Sequence, residues 1–292
     1  YLQGAGPSGL ATDAAGASNI TNDEFALFFQ DKWQIHPHFT LNYGLRWEAQ
    51  LMPDTVDPST TAYGIFLSDP GFPSNGRIPD QKDMWQPRFG FAWDIGGRGK
   101  SVLRGNAGIY NARLNMLTQV GSVTTNGLQQ QTIFRNTDLI GTLLGFGIPF
   151  NEVVPTWPNL VVPTPSSCTD ALGTNPFPCF TGVRVFHRKY KNPRIYTYNV
   201  AFEQEIIPDL SAYVDFTLSK GVYLTRFINY NRAGSPFNPL TYLGETMVTN
   251  SFGQSLYRGM TLGLRKRFSH GFQVEMNYVV SGDYDDDSNG RD

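Results

Sequence analysis

The sequence predicts an all-β fold, an antiparallel transmembrane β-barrel section of about eight strands in four hairpins. Three observations predict it. In Phe39–Gln50, Leu41, Tyr43, Leu45, Trp47 and Ala49 alternate with Thr40, Asn42, Gly44, Arg46, Glu48 and Gln50. Strand side chains point to opposite faces with a period of two, so this segment has one apolar and one polar face. Similar segments recur in pairs, joined within each pair by a few residues and between pairs by the long loops 51–84, 112–192 and 225–253. Short turns at one end and long loops at the other fit outer-membrane barrels, with the turns periplasmic and the loops extracellular. Finally, only 16% of residues are charged and 14% are aromatic, with a mean hydropathy of −0.30. Average soluble domains carry roughly 25% charge, and a barrel of half-polar strands fits the contrast.

Residues 1–23, rich in Gly, Ala and Ser, read as a loop. The barrel section is expected over 24–287, and 288–292 as the truncated start of a further loop. The first strand is Glu24–Gln34, with Phe25, Leu27, Phe29 and Trp33 in phase. Asp31 falls in the apolar phase, which requires either a position near a membrane interface or a bulge that shifts the register. A turn at Ile35–His38 leads into Phe39–Gln50. Trp85–Ile95 and Ser101–Asn111 form the second hairpin across a Gly-rich turn. Pro193–Ile206 and Leu210–Leu224 form the third, and Gln254–Phe268 and Phe272–Gly282 the fourth. Strands of about eleven residues, rising 3.3 Å each and tilted near 45°, cross an apolar band of about 25 Å. Trp33, Trp47, Trp85 and Trp93 lie toward strand ends, where an aromatic girdle sits. The segment 112–192, with its prolines, shows no assignable periodicity, and so long an irregular stretch argues against a compact soluble domain.

Composition also excludes. A net charge of −2 and a pI near 6.1 leave no nucleic-acid footprint. No apolar run is long enough for a transmembrane helix, and no leader pattern opens the chain. The chain starts at Tyr1 and is expected to be a mature form or a piece of something longer. No nucleophile–base arrangement or phosphate-binding loop is present, so no enzyme is expected and no cofactor is required.

Several residues are candidates for more specific roles. Cys168 and Cys179, close in sequence and without zinc-site spacing, read as a disulfide closing a surface loop in an oxidising compartment. Asp285, Asp287, Asn289 and Gly290 match the opening of a calcium loop, against the plainer reading of a solvated acidic loop. His36 and His38 flank Pro37 in a turn and lack a third metal ligand nearby in sequence. His187, Arg188, Lys189, Lys191 and Arg194 form a basic patch before a strand, suited to a charged membrane-edge collar or to an anionic ligand. Arg46, Glu48, Arg88, Arg104, Glu203, Arg265, Arg267 and Glu275 fall on polar faces and would line a barrel lumen.

Three blocks carry a resemblance: FALFFQDKWQIHPHFTLNYGLRWE (Phe25–Glu48), QPRFGFAWDIGGRGKSVLRGNAGIY (Gln86–Tyr110) and YRGMTLGLRKRFSHGFQVEMNYVVS (Tyr257–Ser281). They resemble the Oar-like TonB-dependent receptors, over the strands and short turns from about residue 24 to 287 and not over the long loops. The resemblance implies an internal part of a larger barrel in the outer membrane of a Gram-negative-type bacterium. It also implies a plug and a TonB-contacting segment that this chain does not show, and energy-coupled uptake of an unidentified solute by the intact protein. The expected partners are outer-membrane lipid, the TonB complex and that solute. Two alternatives keep the barrel: a surface-display, adhesion or secretion-related barrel without uptake, and a complete eight-stranded barrel whose first and last strands pair. A soluble β-sandwich or propeller is a third.

Overall fold

A computed structural model describes residues 2–5, 18–126, 130–133, 144–147, 168–169, 176–177, 181–231 and 243–286. Eight long strands form the body: β1 (Asp23–His36), β2 (Phe39–Leu51), β3 (Gln81–Asp94), β4 (Ser101–Asn111), β5 (Arg194–Ile207), β6 (Leu210–Asn229), β7 (Leu243–Ser269) and β8 (Phe272–Asp285). Each pairs antiparallel with its sequence neighbour, so the body is a simple meander. Short strands extend the sheet at the loop end. Thr181–Phe186 runs parallel to the first part of β7 and touches Gln130–Ile133, which pairs with Leu2–Ala5.

Register turns the alternation of each strand into continuous rows. One row runs Trp33, Leu41, Phe91, Gly105, Val200, Phe216, Met260, Val280 across all eight strands. The adjacent row, on the other side, runs Lys32, Asn42, Gly90, Asn106, Asn199, Thr217, Gly259, Ser281. Directly opposed side chains lie about 5 Å apart, so each row is in contact along its length. Gly105 fills its place in the apolar row by leaving room for the Phe91 ring, which a Cβ there would meet at 2.5 Å. The apolar side is exposed: Leu27 keeps 70% of its accessible surface, Phe29 63% and Met276 62%. A contiguous apolar surface of this kind marks a face built for a non-aqueous or protein partner.

Among the described residues β1 pairs only with β2 and β8 only with β7. The pairing of the first and last strands that a complete eight-stranded barrel requires is not formed. Both end strands are exposed along nearly their whole length, because each lacks a neighbour on one edge.

Several boundaries differ from the sequence reading. The first turn is Pro37-His38, with His36 already paired to Phe39. The last is His270-Gly271, both at positive φ, the backbone that a two-residue hairpin needs and that Gly adopts without cost. Strands continue into the expected loop 225–253: β6 runs to Asn229, β7 starts at Leu243, and they stay paired to Asn229↔Met247. The alternation breaks there because the register shifts between Gly221 and Arg226 and Tyr223 takes a φ of 60, so the periodicity disappears while the pairing persists. β3 likewise begins at Gln81, inside the expected loop 51–84. Asp31 needs no bulge: the register is unbroken from Asp23 to Gln34, and the carboxylate accepts from Tyr43 Oη at 3.1 Å and from the Lys32 N–H at 2.8 Å.

The loop end has its own cores. Helix α1 (Met116–Thr124) starts where the Asn115 side chain accepts from the Leu117 N–H, satisfying a free helix donor. It lies within 112–192, where sequence periodicity shows nothing. Tyr63, Phe72, Val183, Val185 and Val248 bury one another in one cluster, and Ile78, Leu114, Val123, Phe186 and Tyr190 in a second. The strand Thr181–Phe186 feeds both clusters, because its alternate side chains point opposite ways. Between them, the Asn192 N–H donates to Gln81 Oε1 and its side-chain amide to Gln50 Oε1, both at 3.0 Å, while Gln81 Nε2 donates to the Tyr190 carbonyl at 3.1 Å. Arg188 donates to the Phe72 carbonyl, and its own N–H to the Pro73 carbonyl at 2.9 Å. The loop 51–84 is thereby tied to the segment before β5.

Two outcomes follow from these cores. Phe72 is fully buried, and Phe72→Ala removes about 3–5 kcal/mol of packing from its cluster. Limited proteolysis should then cut within 51–84 while the eight-strand body stays protected; unchanged cleavage would show that this core does not hold the loop. Burial pushes the hydroxyls of Tyr63 and Tyr190 up to about 12 from an ordinary 10.0, against hydrogen bonds to Thr61 and Thr225 that pull the other way. Above pH 10 the unfolded chain loses these protons and the folded loops do not, so loop stability falls as pH rises from 10 toward 12. Tyrosinate absorbance should show two late-titrating groups, absent from the Tyr63→Phe, Tyr190→Phe variant.

Candidate functional site

The polar side of the sheet carries several paired charges. Glu48 on β2 is the centre of the densest group. Its Oε1 accepts from Arg46 Nε at 2.7 Å and Nη2 at 2.5 Å, and its Oε2 accepts from Gln86 Nε2 at 2.7 Å. Gln86 Oε1 in turn accepts from Arg88 Nη2 at 3.3 Å, and the Arg88 guanidinium lies 4.7 Å from the centre of the Tyr110 ring. Alternation makes this possible. Arg46 and Glu48 are two residues apart on one strand, Arg46 opposes Gln86, and Arg88 is diagonal to it. The group walls a hollow of about 570 Å³, floored by Gly44 and Gly90, with Phe28, Asn42 and Asn106 on its rim. Glycine at the floor lets the hollow reach down to the backbone.

A second group follows along the same side. Asn106 Nδ2 donates to Asn199 Oδ1 at 3.3 Å. Asn199 Nδ2 donates to Asp215 Oδ1 at 2.6 Å and to Thr217 Oγ1 at 3.0 Å. Tyr213 Oη donates to Asn277 Oδ1 at 2.6 Å. Arg104 pairs with Glu203 at 3.4 Å and Arg265 with Glu275 at 3.1 Å. The Arg267 N–H is held by the Asp209 carbonyl at the turn.

All eight charged residues expected on the polar faces therefore lie on one side of one sheet. The structure joins Arg46, Glu48 and Arg88, and makes separate pairs of Arg104–Glu203 and Arg265–Glu275. Sequence reasoning put Gln86, Asn106 and Asp215 on polar faces without naming them as site residues, and it did not place Tyr110, Asn199, Tyr213 and Asn277. Each sits in the polar phase of its strand, so phase was the available signal; a search for arginine and glutamate was too narrow a filter.

Other candidates fare differently. Cys179 and the Cys168 side chain lie outside the described residues, as do Asp287, Asn289 and Gly290, so the disulfide and most of the calcium motif do too. Asp285 belongs to β8, opposite Ser255, and Asp286 accepts from the Gln254 N–H at 2.7 Å. The His36 and His38 rings lie tilted against each other, with centres 5.1 Å apart. His38 lies 3.9 Å from Asp94, and no group of three metal-type ligands forms among the described residues. In the basic patch, Arg188 grips loop carbonyls. Arg194 donates to Asn111 Oδ1 at 3.0 Å and the Asp83 carbonyl at 2.9 Å, and Lys191 covers the Tyr223 ring at 5.3 Å. Burial, with Arg188 and Lys189 beside it, lowers the pKa of His187. Arg188 and Arg194 thus act as ties between segments.

A family model described as an outer membrane beta barrel domain matches residues 1–292. Among solved structures the chain is similar to the outer membrane transporter YddB from Escherichia coli, with 10% identity and a TM-score of 0.51, over 90% of this chain and 25% of that one. It is also similar to the FrpB iron transporter from Neisseria meningitidis, F5-1 variant, with 11% identity and a TM-score of 0.52, over 94% of this chain and 28% of that one. The chain thus spans about a quarter of the length of these transporters. No curated protein matches it in sequence. The structural likenesses, at 10–11% identity, show that the chain shares the barrel-wall fold.

Glu48 is the most enclosed carboxylate of these pairs, with 13% of its side chain accessible, against 46% for Glu275. A double-mutant cycle between Arg46 and Glu48 should give a coupling of about 1.5–3 kcal/mol, the range of a hydrogen bond to a charged group. The Arg265–Glu275 cycle should give clearly less, since water competes there. Equal couplings in urea unfolding would show that enclosure does not set the strength.

Proposed function

The chain belongs to the outer-membrane β-barrel domain family, and from that membership we propose that it is a wall section of a TonB-dependent, Oar-like receptor. It is a protein of the outer membrane of a Gram-negative-type bacterium. The apolar side then faces lipid, the two-residue turns lie in the periplasm, and the folded loop end lies outside the cell.

The observation that carries the reading is the pair of adjacent rows, one apolar and one polar, crossing eight strands without a register slip in the middle of the sheet. A sheet with one oily side, one hydrogen-bonded side and two unpaired edges makes sense as part of a closed barrel, since lipid tolerates no open edge. The short share of each solved transporter that it covers supports the same view. The intact protein takes up a solute. Arg46, Glu48, Arg88, Arg104, Glu203, Arg265, Arg267 and Glu275 line the lumen, where they contact a plug domain or the passing solute. Paired charges suit a lumen wall. Most are held by a neighbour on the wall, so water and polar groups can slide past without a bare charge trapping them.

The lipid-facing assignment is tested with the full-length protein in vesicles of brominated phosphatidylcholine. Trp33, Trp47, Trp85 and Trp93 lie in the apolar phase, so their fluorescence should be quenched strongly; unquenched emission would overturn the barrel reading. Binding of the periplasmic domain of TonB by the full-length protein, measured by calorimetry, tests energy coupling. No binding would favour a surface-display or adhesion barrel with the same wall.

A further inference from the structure

The apolar side carries three cations on β6 and β7, and they are not equivalent. Lys266 lies near the turn end. Its ammonium donates to Ser269 O at 2.9 Å and Ser269 Oγ at 2.8 Å and lies 4.0 Å from the Phe272 ring centre. This cation is satisfied by its own hairpin. Lys220 and Arg258 have no hydrogen-bond, ion-pair or ring partner among the described residues, and both are exposed. Register places Lys220 opposite Leu256 and Arg258 opposite Leu218. The two cations are therefore diagonal neighbours, about 7–8 Å apart at their bases, a separation that two long side chains close on one small anion.

Their surroundings are apolar and hollowed. Arg258 borders a groove of about 440 Å³ with Tyr198, Phe216, Met260 and Val280. Lys220 borders a second of about 640 Å³ with Tyr196 and Leu256. Tyr198 and Leu218 line both grooves, so the two lie side by side. Tyr196 stands directly opposite Lys220 on β5, so a phenol is at hand beside the ammonium. No carboxylate opposes either cation: Lys220 lies between Tyr196 and Leu256, and Arg258 between Leu218 and Gly282.

Height decides what could neutralise them. Lys220 stands ten residues above the start of β6 and Arg258 eleven above the end of β7. At about 3.3 Å per residue and a tilt near 45°, both sit roughly 23–26 Å above the turns, at the far edge of an apolar band about 25 Å tall. That is the headgroup level of the outer leaflet, and a cation pair with an apolar groove below it is complementary to an anion with an acyl chain. We propose that Lys220 and Arg258 form a binding site for the phosphate of an outer-leaflet lipid, with one acyl chain lying in the groove past Leu218 toward Met260 and Val280. Arg258 offers a planar fork and Lys220 a point charge, a combination suited to phosphate oxygens. The proposal rests on the apolar side facing lipid.

The test uses the full-length protein in nanodiscs of phosphatidylcholine containing phosphatidic acid, with retained lipids counted by native mass spectrometry. The wild type should retain phosphatidic acid over phosphatidylcholine, and Lys220→Gln, Arg258→Gln together should lower that preference roughly tenfold, the loss expected for charge-assisted contacts. Lys220→Arg, Arg258→Lys should keep it, which separates lost charge from lost folding, and Lys266→Gln should leave it unchanged. An undiminished preference in the Gln variant would overturn the site. So would displacement of the lipid by inorganic phosphate at matched concentration, which would mark a free-anion site. If tryptophan quenching by brominated lipid is intact while the phosphatidic acid preference is absent, the lipid site fails alone; if quenching is also absent, the barrel reading fails with it.

Discussion

Everything about this chain depends on the backbone ladder that holds β1 to β8 in register. Each strand alternates sides with a period of two, so a slip of one residue would carry every apolar side chain to the polar side. Among these eight strands the ladder shifts at hairpin turns, between Glu48 and Gln50, and past the middle of β6, between Gly221 and Arg226. Between those points a residue's side, and its neighbours on that side, are settled by counting.

Polar chemistry follows from the same ladder. Glu48 can bind Arg46 and Gln86 together because register brings Arg46 opposite Gln86 while Glu48 stands two residues along. Asn199 can bridge Asn106, Asp215 and Thr217 because three strands put them in neighbouring rows. These contacts are short and local, and none is among the isolated buried charges whose desolvation would dominate. Their value lies in leaving the polar side wet but without bare charge.

The loop end obeys a different rule. Past the middle of β6 the ladder bulges, β7 exchanges β8 for the parallel strand Thr181–Phe186, and burial replaces alternation as the organising force. Fully buried Phe72 and Val248, and the polar tie of Asn192 to Gln50 and Gln81, belong to this region. The wall therefore ends in packed cores, and the outer segments are anchored to the strands by side chains as well as by the backbone.

How much was legible follows from range. The sides of Leu41, Phe89, Phe216 and Met276, and of Arg46 and Glu275, were readable, because a two-residue period is written in consecutive residues. The third and fourth turns were readable to within a residue for the same reason, as 207–209 and 269–271 against the observed Pro208-Asp209 and His270-Gly271. The true reach of β6 and β7 was hidden, since a bulge erases the period while leaving the pairing. Helix α1 and Thr181–Phe186 were hidden too: nine residues of helix and six of strand find partners far away in sequence, and only those partners make them stable. The sequence by itself determined which residues share a side. The tertiary structure alone decided which of them touch, that Asp31 is met by Tyr43, that Lys266 is satisfied while Lys220 and Arg258 are not, and that β1 and β8 remain edges. Alternation is a property of one strand, whereas contact and closure are properties of pairs, and pairing is set by neighbours that the local sequence does not contain.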